Sequence, residues 1–220
     1  MRLKGFALAL VIGAMIPAAG LAQDGGEGSV SQKEAREMAF SQLSTEEQKT
    51  VIAMLKKIFK DAKGRAEKSI RDTGGMVPFG YAMNHAGEGQ FLHINPEQEL
   101  KAEVAAHAVQ KTIVTNALRG NLAASGLFIT MGTPDGLDKK TERKLEKSIA
   151  GDRGIEDVRF LMVELQHLGG LGLLMTVPYW QKDDGKWVFG ESASQQIDPE
   201  LQRTVQGMIR KAVEKQSSGG

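Results

Sequence analysis

The order of apolar patterns predicts an α/β chain of the α+β type: one mainly antiparallel sheet of about five strands, flanked by helices. Three observations carry this reading. A capped amphipathic helix opens the folded part of the chain. Two short alternating strands follow it around a glycine-rich turn. After a second helix, three apolar runs in succession read as a meander, and a capped helix closes the chain.

Ser44-Thr45-Glu46-Glu47 is a capping box, with Ser44 as N-cap and Glu47 three residues on. The helix it starts extends to about Asp72. At 100° per residue, Val51, Ile52, Leu55, Ile58, Phe59, Ala62, Ala66 and Ile70 share an arc of roughly 120°. Lys49, Lys56, Lys60, Lys63 and Arg71 lie opposite, and Gly74-Gly75 ends the element. Phe79 to Met83 and Phe91 to Ile94 are strands, joined through Gly87-Glu88-Gly89. Asn95-Pro96 is expected to cap a helix that stops at Gly120.

Leu122 to Met131 is the third strand. Residues 132–156 are polar, with a short helix near Thr141 to Ile149, and look like an insertion. Val158 to Leu165 and Leu171 to Val177 follow as central strands. Asp183-Asp184-Gly185 turns Tyr179–Trp180 back on Trp187–Phe189. Asp198-Pro199 starts the last helix, to about Lys215. In this layout the first and fifth strands are expected to be antiparallel neighbours, with Phe79 beside Tyr179 and Asn84 beside Leu171.

The first 22 residues read as a cleavable secretory signal peptide. Arg2 and Lys4 precede an apolar run from Phe6 to Ile16, and Gly20 and Ala22 fit the cleavage seats. That run is shorter than the about 20 residues that span a bilayer. Cleavage before Gln23 would leave 198 residues in which 26 basic side chains face 27 acidic ones. A formal charge near −1 lacks the basic field of a nucleic-acid binder. Residues 23–43 read as a flexible polar leader with a short helix near Gln32 to Gln42. Residues 44–215 form one globular domain, and 216–220 a disordered tail. The product is expected in a periplasm or outside the cell, with no transmembrane anchor after cleavage.

The sequence has no cysteine, which removes disulfides, thiol nucleophiles and Cys-ligated metals. No Gly-x-Ser-x-Gly elbow is present. Gly169-Gly170-Leu171-Gly172 precedes no helix, so it lacks the dipole of a phosphate loop. Two candidate sites remain. His85 with Glu88, and His167 near Glu164, lie at turns expected at one end of the sheet. Two imidazoles and a carboxylate could ligate a divalent metal. Tyr179, Trp180 and Trp187 cluster near the last turn, either as a cross-strand group capping the core or, if exposed, as a binding patch. Glu103 and His107 can share a helix face as a surface pair, and the lysine face of the first helix could meet an anionic envelope surface.

Pro78-Phe79-Gly80 leading into the first strand, Val163-Glu164-Leu165-Gln166-His167 with Gly169-Gly170, and Val177-Pro178-Tyr179 form a set. It resembles that of small bacterial α/β proteins carrying P-F-G, V-E-x-x-H and P-Y stretches, over about residues 74 to 180. The element order resembles roadblock and profilin-like sandwiches, which implies a binding module more than an enzyme. Pro78-Phe79-Gly80 between a helix and a hairpin also resembles the cytidine-deaminase fold. That family's zinc chemistry needs His-x-Glu and Pro-Cys-x-x-Cys, and both are missing: His107 is followed by Ala108 and Val109.

The functional expectation is an exported, non-enzymatic interaction or accessory domain, bound to an unknown protein or envelope component and needing no cofactor. The alternative is a periplasmic protein that binds a small molecule or a divalent metal, or a hydrolase. A cleft with convergent polar groups would favour the alternative. A smooth sheet face with exposed Tyr179 and Trp180 would favour the interaction domain.

Overall fold

A computed structural model describes residues 40–94, 100–149 and 154–217. Residues 1–39, which hold the expected signal peptide and most of the expected leader, the expected Asn95-Pro96 cap and residues 218–220 lie outside the described residues. Helix α1 spans Thr45–Thr73, as its capping box and apolar stripe dictate. The Ser44 N–H donates to Glu47 Oε2 at 2.8 Å, and the Glu47 N–H donates to Ser44 Oγ at 3.3 Å. Gly74, at φ 75°, closes the helix by donating its N–H to the Ile70 carbonyl.

Strands β1 (Phe79–Met83) and β2 (Gly89–Leu92) form the expected hairpin. Helix α2 runs over Ala102–Leu118. Its N-cap is Lys101 with no side-chain cap, so the helix starts later than the sequence suggests. Strand β3 (Ala124–Met131), helix α3 (Lys139–Ser148), β4 (Arg159–His167) and β5 (Leu171–Gln181) follow, then β6 (Trp187–Phe189), β7 (Ala193–Ile197) and helix α4 (Glu200–Ser217). Helix α4 thus enters the stretch expected to fray.

The fold is mixed α+β with one antiparallel sheet, but the sheet has seven strands rather than about five. Its order is β2-β1-β3-β4-β5-β6, and β7 pairs β5 beyond β6. Strands β6 and β7 lie end to end along one edge of β5. Tyr179 opposes Phe189 while Thr176 opposes Ala193, so the outer strand takes one residue more than β5. Pro178, which has no N–H to give, sits at this irregularity and accepts from the Gly190 N–H. Strand β7 was missed because Ala193-Ser-Gln-Gln-Ile has no apolar alternation to announce it.

The expected pairing of the first and fifth strands is wrong. β1 pairs β3, with Phe79 opposite Phe128, and β3 and β4 lie between β1 and β5. Phe79 stacks on Phe128 with ring centroids 4.7 Å apart rather than on Tyr179. The meander joins the hairpin through its first strand, which leaves the β5 edge for β6 and β7.

Strand alternation sorts the side chains into two cores. Phe79, Tyr81, Phe128, Leu161, Val163 and Leu165 face α1. Leu127, Ile129, Phe160, Met162 and Trp180 face the opposite way, toward α2, α3 and α4. Residues 138–148 of the expected insertion are therefore tied to the core and to β7. Asp138 caps α3, whose Leu145 is buried, and Gln195 of β7 accepts from the Asp138 N–H at 2.9 Å.

Two glycines set how closely the helices approach. A Cβ at Gly126 would stand 2.8 Å from Ile58 of α1, and one at Gly80 would stand 2.8 Å from Val109 of α2. Gly126→Val should therefore destabilise by about 1–3 kcal/mol through overpacking. Gly64, inside α1 with nothing within 4 Å of its would-be Cβ, is the control. Gly64→Ala should stabilise by about 0.5–1 kcal/mol. Urea unfolding of both variants checks the pair, and a neutral Gly126→Val would contradict the packing.

Candidate functional site

The alternation of β4 determines which polar groups meet. Val163, Leu165 and His167 point toward the α1 face, so Glu164 and Gln166 point into the other core. Gln166 is buried and Glu164 half-buried. Gln166 is 5% exposed and satisfied at both ends of its amide. Its Oε1 accepts from the Leu201 N–H in the first turn of α4 at 2.6 Å, and its Nε2 donates to Glu164 Oε1. Gln166 thus ties the start of α4 to the sheet and holds the Glu164 carboxyl in place. An amide does this without a charge, which suits a helix N-terminus that leaves backbone donors unused.

Glu200, also in the first turn of α4, lies close enough to act on Glu164 electrostatically. Burial pushes the Glu164 carboxyl above the ordinary carboxylate range. The Gln166 hydrogen bond opposes this, and the negative charge of Glu200 reinforces it. Arg203 Nη2 sits 3.3 Å from Glu200 Oε1.

Two cavities meet at this pair. One of about 400 Å³ opens between α2 and α4 and takes in Glu164, Gln166 and Glu200. His107 and Lys111 of α2 line its exposed side, and Ile113, Leu118, Leu127 and Met208 give it an apolar body. The other, about 350 Å³, lies on the far side of Glu164 beneath Pro134–Gly136 and β7. Both share Leu127, Glu164 and Glu200. A concave, largely apolar space with a few convergent polar groups is the usual form of a small-molecule site.

The four expected metal residues are not assembled. His85 and His167 do come to one end of the sheet, since Met83, Ala124 and His167 align across β1, β3 and β4. Glu164 leaves the set because it points to the opposite face of β4. Glu88 accepts from Asn84 Nδ2 at 2.8 Å, back within its own turn. Among the described residues no group of three or more His, Asp or Glu side chains could hold a metal ion. His167 Nδ1 accepts from the Gly169 N–H at 2.8 Å, a turn-closing role. Burial, then the nearby His85, lowers the His167 pKa to about 4.

Of the two readings of the aromatic group, the structure bears out packing in the core and overturns the exposed patch. Tyr179 is 0% exposed and Trp180 6%, one in each core. Trp187 is half-buried, 5.7 Å from the Tyr179 ring, so the three serve packing rather than an exposed surface. On the basic face of α1, Lys49 pairs with Glu46, and Lys63 and Arg71 both pair with Glu67, all within the helix. His107, expected in a surface pair with Glu103, lines the α2–α4 cleft instead. Gln166 and Glu200 carried no expectation. The available signal was the pair Glu164 and Gln166, two polar residues in phase within a strand otherwise apolar on both faces.

Comparisons with protein-family models, with curated proteins and with solved structures find no match. Among the described residues no helix is long and apolar enough to cross a membrane.

Two pH profiles test these placements. The folded-state pKa of His167 is depressed, so its contribution is complete above about 6.5, the unfolded value, and is lost as pH falls toward 4. His167→Gln should therefore lose less stability than the wild type between pH 7 and pH 4.5 in urea unfolding. Parallel losses would contradict the buried imidazole. Glu164 has the opposite sign: a raised carboxyl stabilises most below its ordinary value of 4.5 and loses that contribution as pH rises through the folded value. The stability of Glu164→Gln relative to wild type should climb as pH rises from about 4.5 through the raised folded value and then level off, and a flat difference throughout would refute the raised pKa.

Proposed function

We propose that the protein binds a small organic molecule in the cleft between α2 and α4, as an exported, non-catalytic binding protein. One observation carries this reading: the half-buried carboxyl of Glu164, held by Gln166, faces a cavity of about 400 Å³ whose remaining lining is largely apolar. A polar pair inside a core needs either full internal satisfaction or a ligand that completes it. Export rests on the composition of residues 1–22, and places the ligand among the solutes of a periplasm or the medium.

A second reading, an interaction domain for a protein or envelope component, draws on one feature. Met208 and Ile209 of α4 are 43% and 52% exposed, and Leu118 of α2 is 43% exposed. Leu118 and Met208 also line the cleft, so ligand entry accounts for them equally well.

Thr204 lines the cleft from α4 and is half-buried, which makes it the residue to fill. Thr204→Trp should abolish binding of fragments detected by ligand-observed NMR, with the circular dichroism spectrum unchanged. Fragment binding that persists in Thr204→Trp, or a wild-type protein that binds no fragment, would overturn the ligand-binding reading.

A further inference from the structure

Apart from the cleft, we propose that α3 is a docking face for an anionic phospholipid bilayer, whose phosphates its five exposed cations meet.

Helix α3 holds Lys139, Lys140, Arg143, Lys144 and Lys147 against two acids, Glu142 and Glu146. At 100° per residue the five cations share an arc of roughly 140°, and both acids fall together on one flank of it. All five cations are exposed. No salt bridge among the described residues includes any of them.

This spacing works against the helix itself. Lys139 and Arg143, Lys140 and Lys144, and Arg143 and Lys147 are like charges four residues apart, an arrangement that destabilises an isolated helix. Helix α1 shows the alternative. There Lys57 pairs with Asp61, Lys63 with Glu67 and Lys68 with Asp72, each four residues on. A face that serves only to be solvated gains nothing by concentrating one sign. The self-repulsion of α3 is relieved by a layer of negative charge laid against it.

Tertiary structure holds the face outward. Thr141 and Leu145, on the side of α3 away from the cations, are buried. The Thr141 N–H donates to Asp138 Oδ1 at 2.7 Å, and the Asp138 N–H donates to Gln195 Oε1 of β7 at 2.9 Å. The cations therefore stand on a fixed platform. Charge elsewhere orients the molecule: outside α3, residues 23–220 carry more acids than bases, so a negative surface attracts α3 and repels the remainder.

The composition of the face selects the kind of anion. Four of the five cations are lysines, compact point charges that suit a diffuse negative surface, whereas bidentate phosphate recognition calls on arginine. No aromatic ring lies in α3 to stack a base. A cluster of basic residues on one helix face is the usual pattern for anionic headgroups. A bilayer surface is also within reach of the exported protein expected from residues 1–22.

Co-sedimentation with vesicles of phosphatidylglycerol and phosphatidylcholine tests the proposal. It is run on the full chain and on the chain from Gln23, which separates α3 from the cations and apolar run of the leader. Both should partition onto vesicles that contain phosphatidylglycerol, and the chain from Gln23 should be released by about 1 M salt and ignore pure phosphatidylcholine. Each cation at such a surface contributes about a factor of five, so Lys140→Gln with Arg143→Gln and Lys144→Gln should weaken partitioning of the chain from Gln23 on the order of 100-fold. That triple variant removes all three like-charged pairs, so its urea midpoint should hold level or rise while binding is lost. Lys140→Arg with Lys144→Arg, which keeps the charge, should bind as wild type, and so should Lys56→Gln with Lys60→Gln on α1. Binding confined to the full chain belongs to the leader and would overturn the proposal. So would a triple variant that still binds or that unfolds more readily, an equal loss in the α1 variant, or tighter binding to a short DNA duplex than to the vesicles.

Discussion

A strand packed by helices on both faces has no wet side. In β4, the side chains from Phe160 to Gln166 are buried whichever way they point, Glu164 alone only in part, because α1 covers one face and α2, α3 and α4 cover the other. For the apolar residues this is the driving force of the fold. For Glu164 and Gln166 it is a constraint that the rest of the structure must answer. A buried polar group left unsatisfied costs about 1–3 kcal/mol, so the neighbours of these two are set by need rather than by chance.

The answer comes from α4. Its first-turn N–H groups have no partner within the helix, and Gln166 accepts one of them from Leu201. This bond, with buried Leu201 and Val205, seats the helix over the sheet next to α2. Beyond Val205, α4 exposes Met208 and Ile209. Between the two helices, over Glu164, a cleft remains. A core closed entirely with apolar side chains would strand the carboxyl, whereas a cleft leaves it reachable. The same two polar residues therefore orient the helix and define the site.

Much of the fold was legible because its signals are local. The capping box at Ser44 and the stripe from Val51 to Ile70 need no knowledge of what they pack against, and α1 buries six residues of that stripe. Gly87 and Gly89 marked the hairpin, and Asp183-Asp184-Gly185 the last turn. Strand neighbours are a different kind of information. Whether β1 lies beside β3 or β5 depends on how the meander docks on the hairpin, and neither choice changes any local pattern. β7 escaped notice for a related reason: Ser194 and Gln196 are exposed, and only the free edge of β5 makes a strand of them.

The candidate site follows the same division. By itself, the sequence determined that there is no cysteine for thiol or Cys-ligated metal chemistry, that a capped helix precedes an antiparallel hairpin, and that His85 and His167 lie at turns. Tertiary structure alone decided that Tyr179 and Trp180 are core residues and that Glu164 parts company with His167. It also decided that Gln166 meets the first turn of α4 and that Glu164 feels the charge of Glu200, both more than thirty residues away along the chain. The physical reason is the reach of the interactions. Caps, turns and periodicity act over a few residues and are written in neighbouring letters. Burial and the electrostatic company of a carboxyl are set by whichever elements fold over it, and a strand covered on both faces hides which of its polar residues will face a cavity and which a turn.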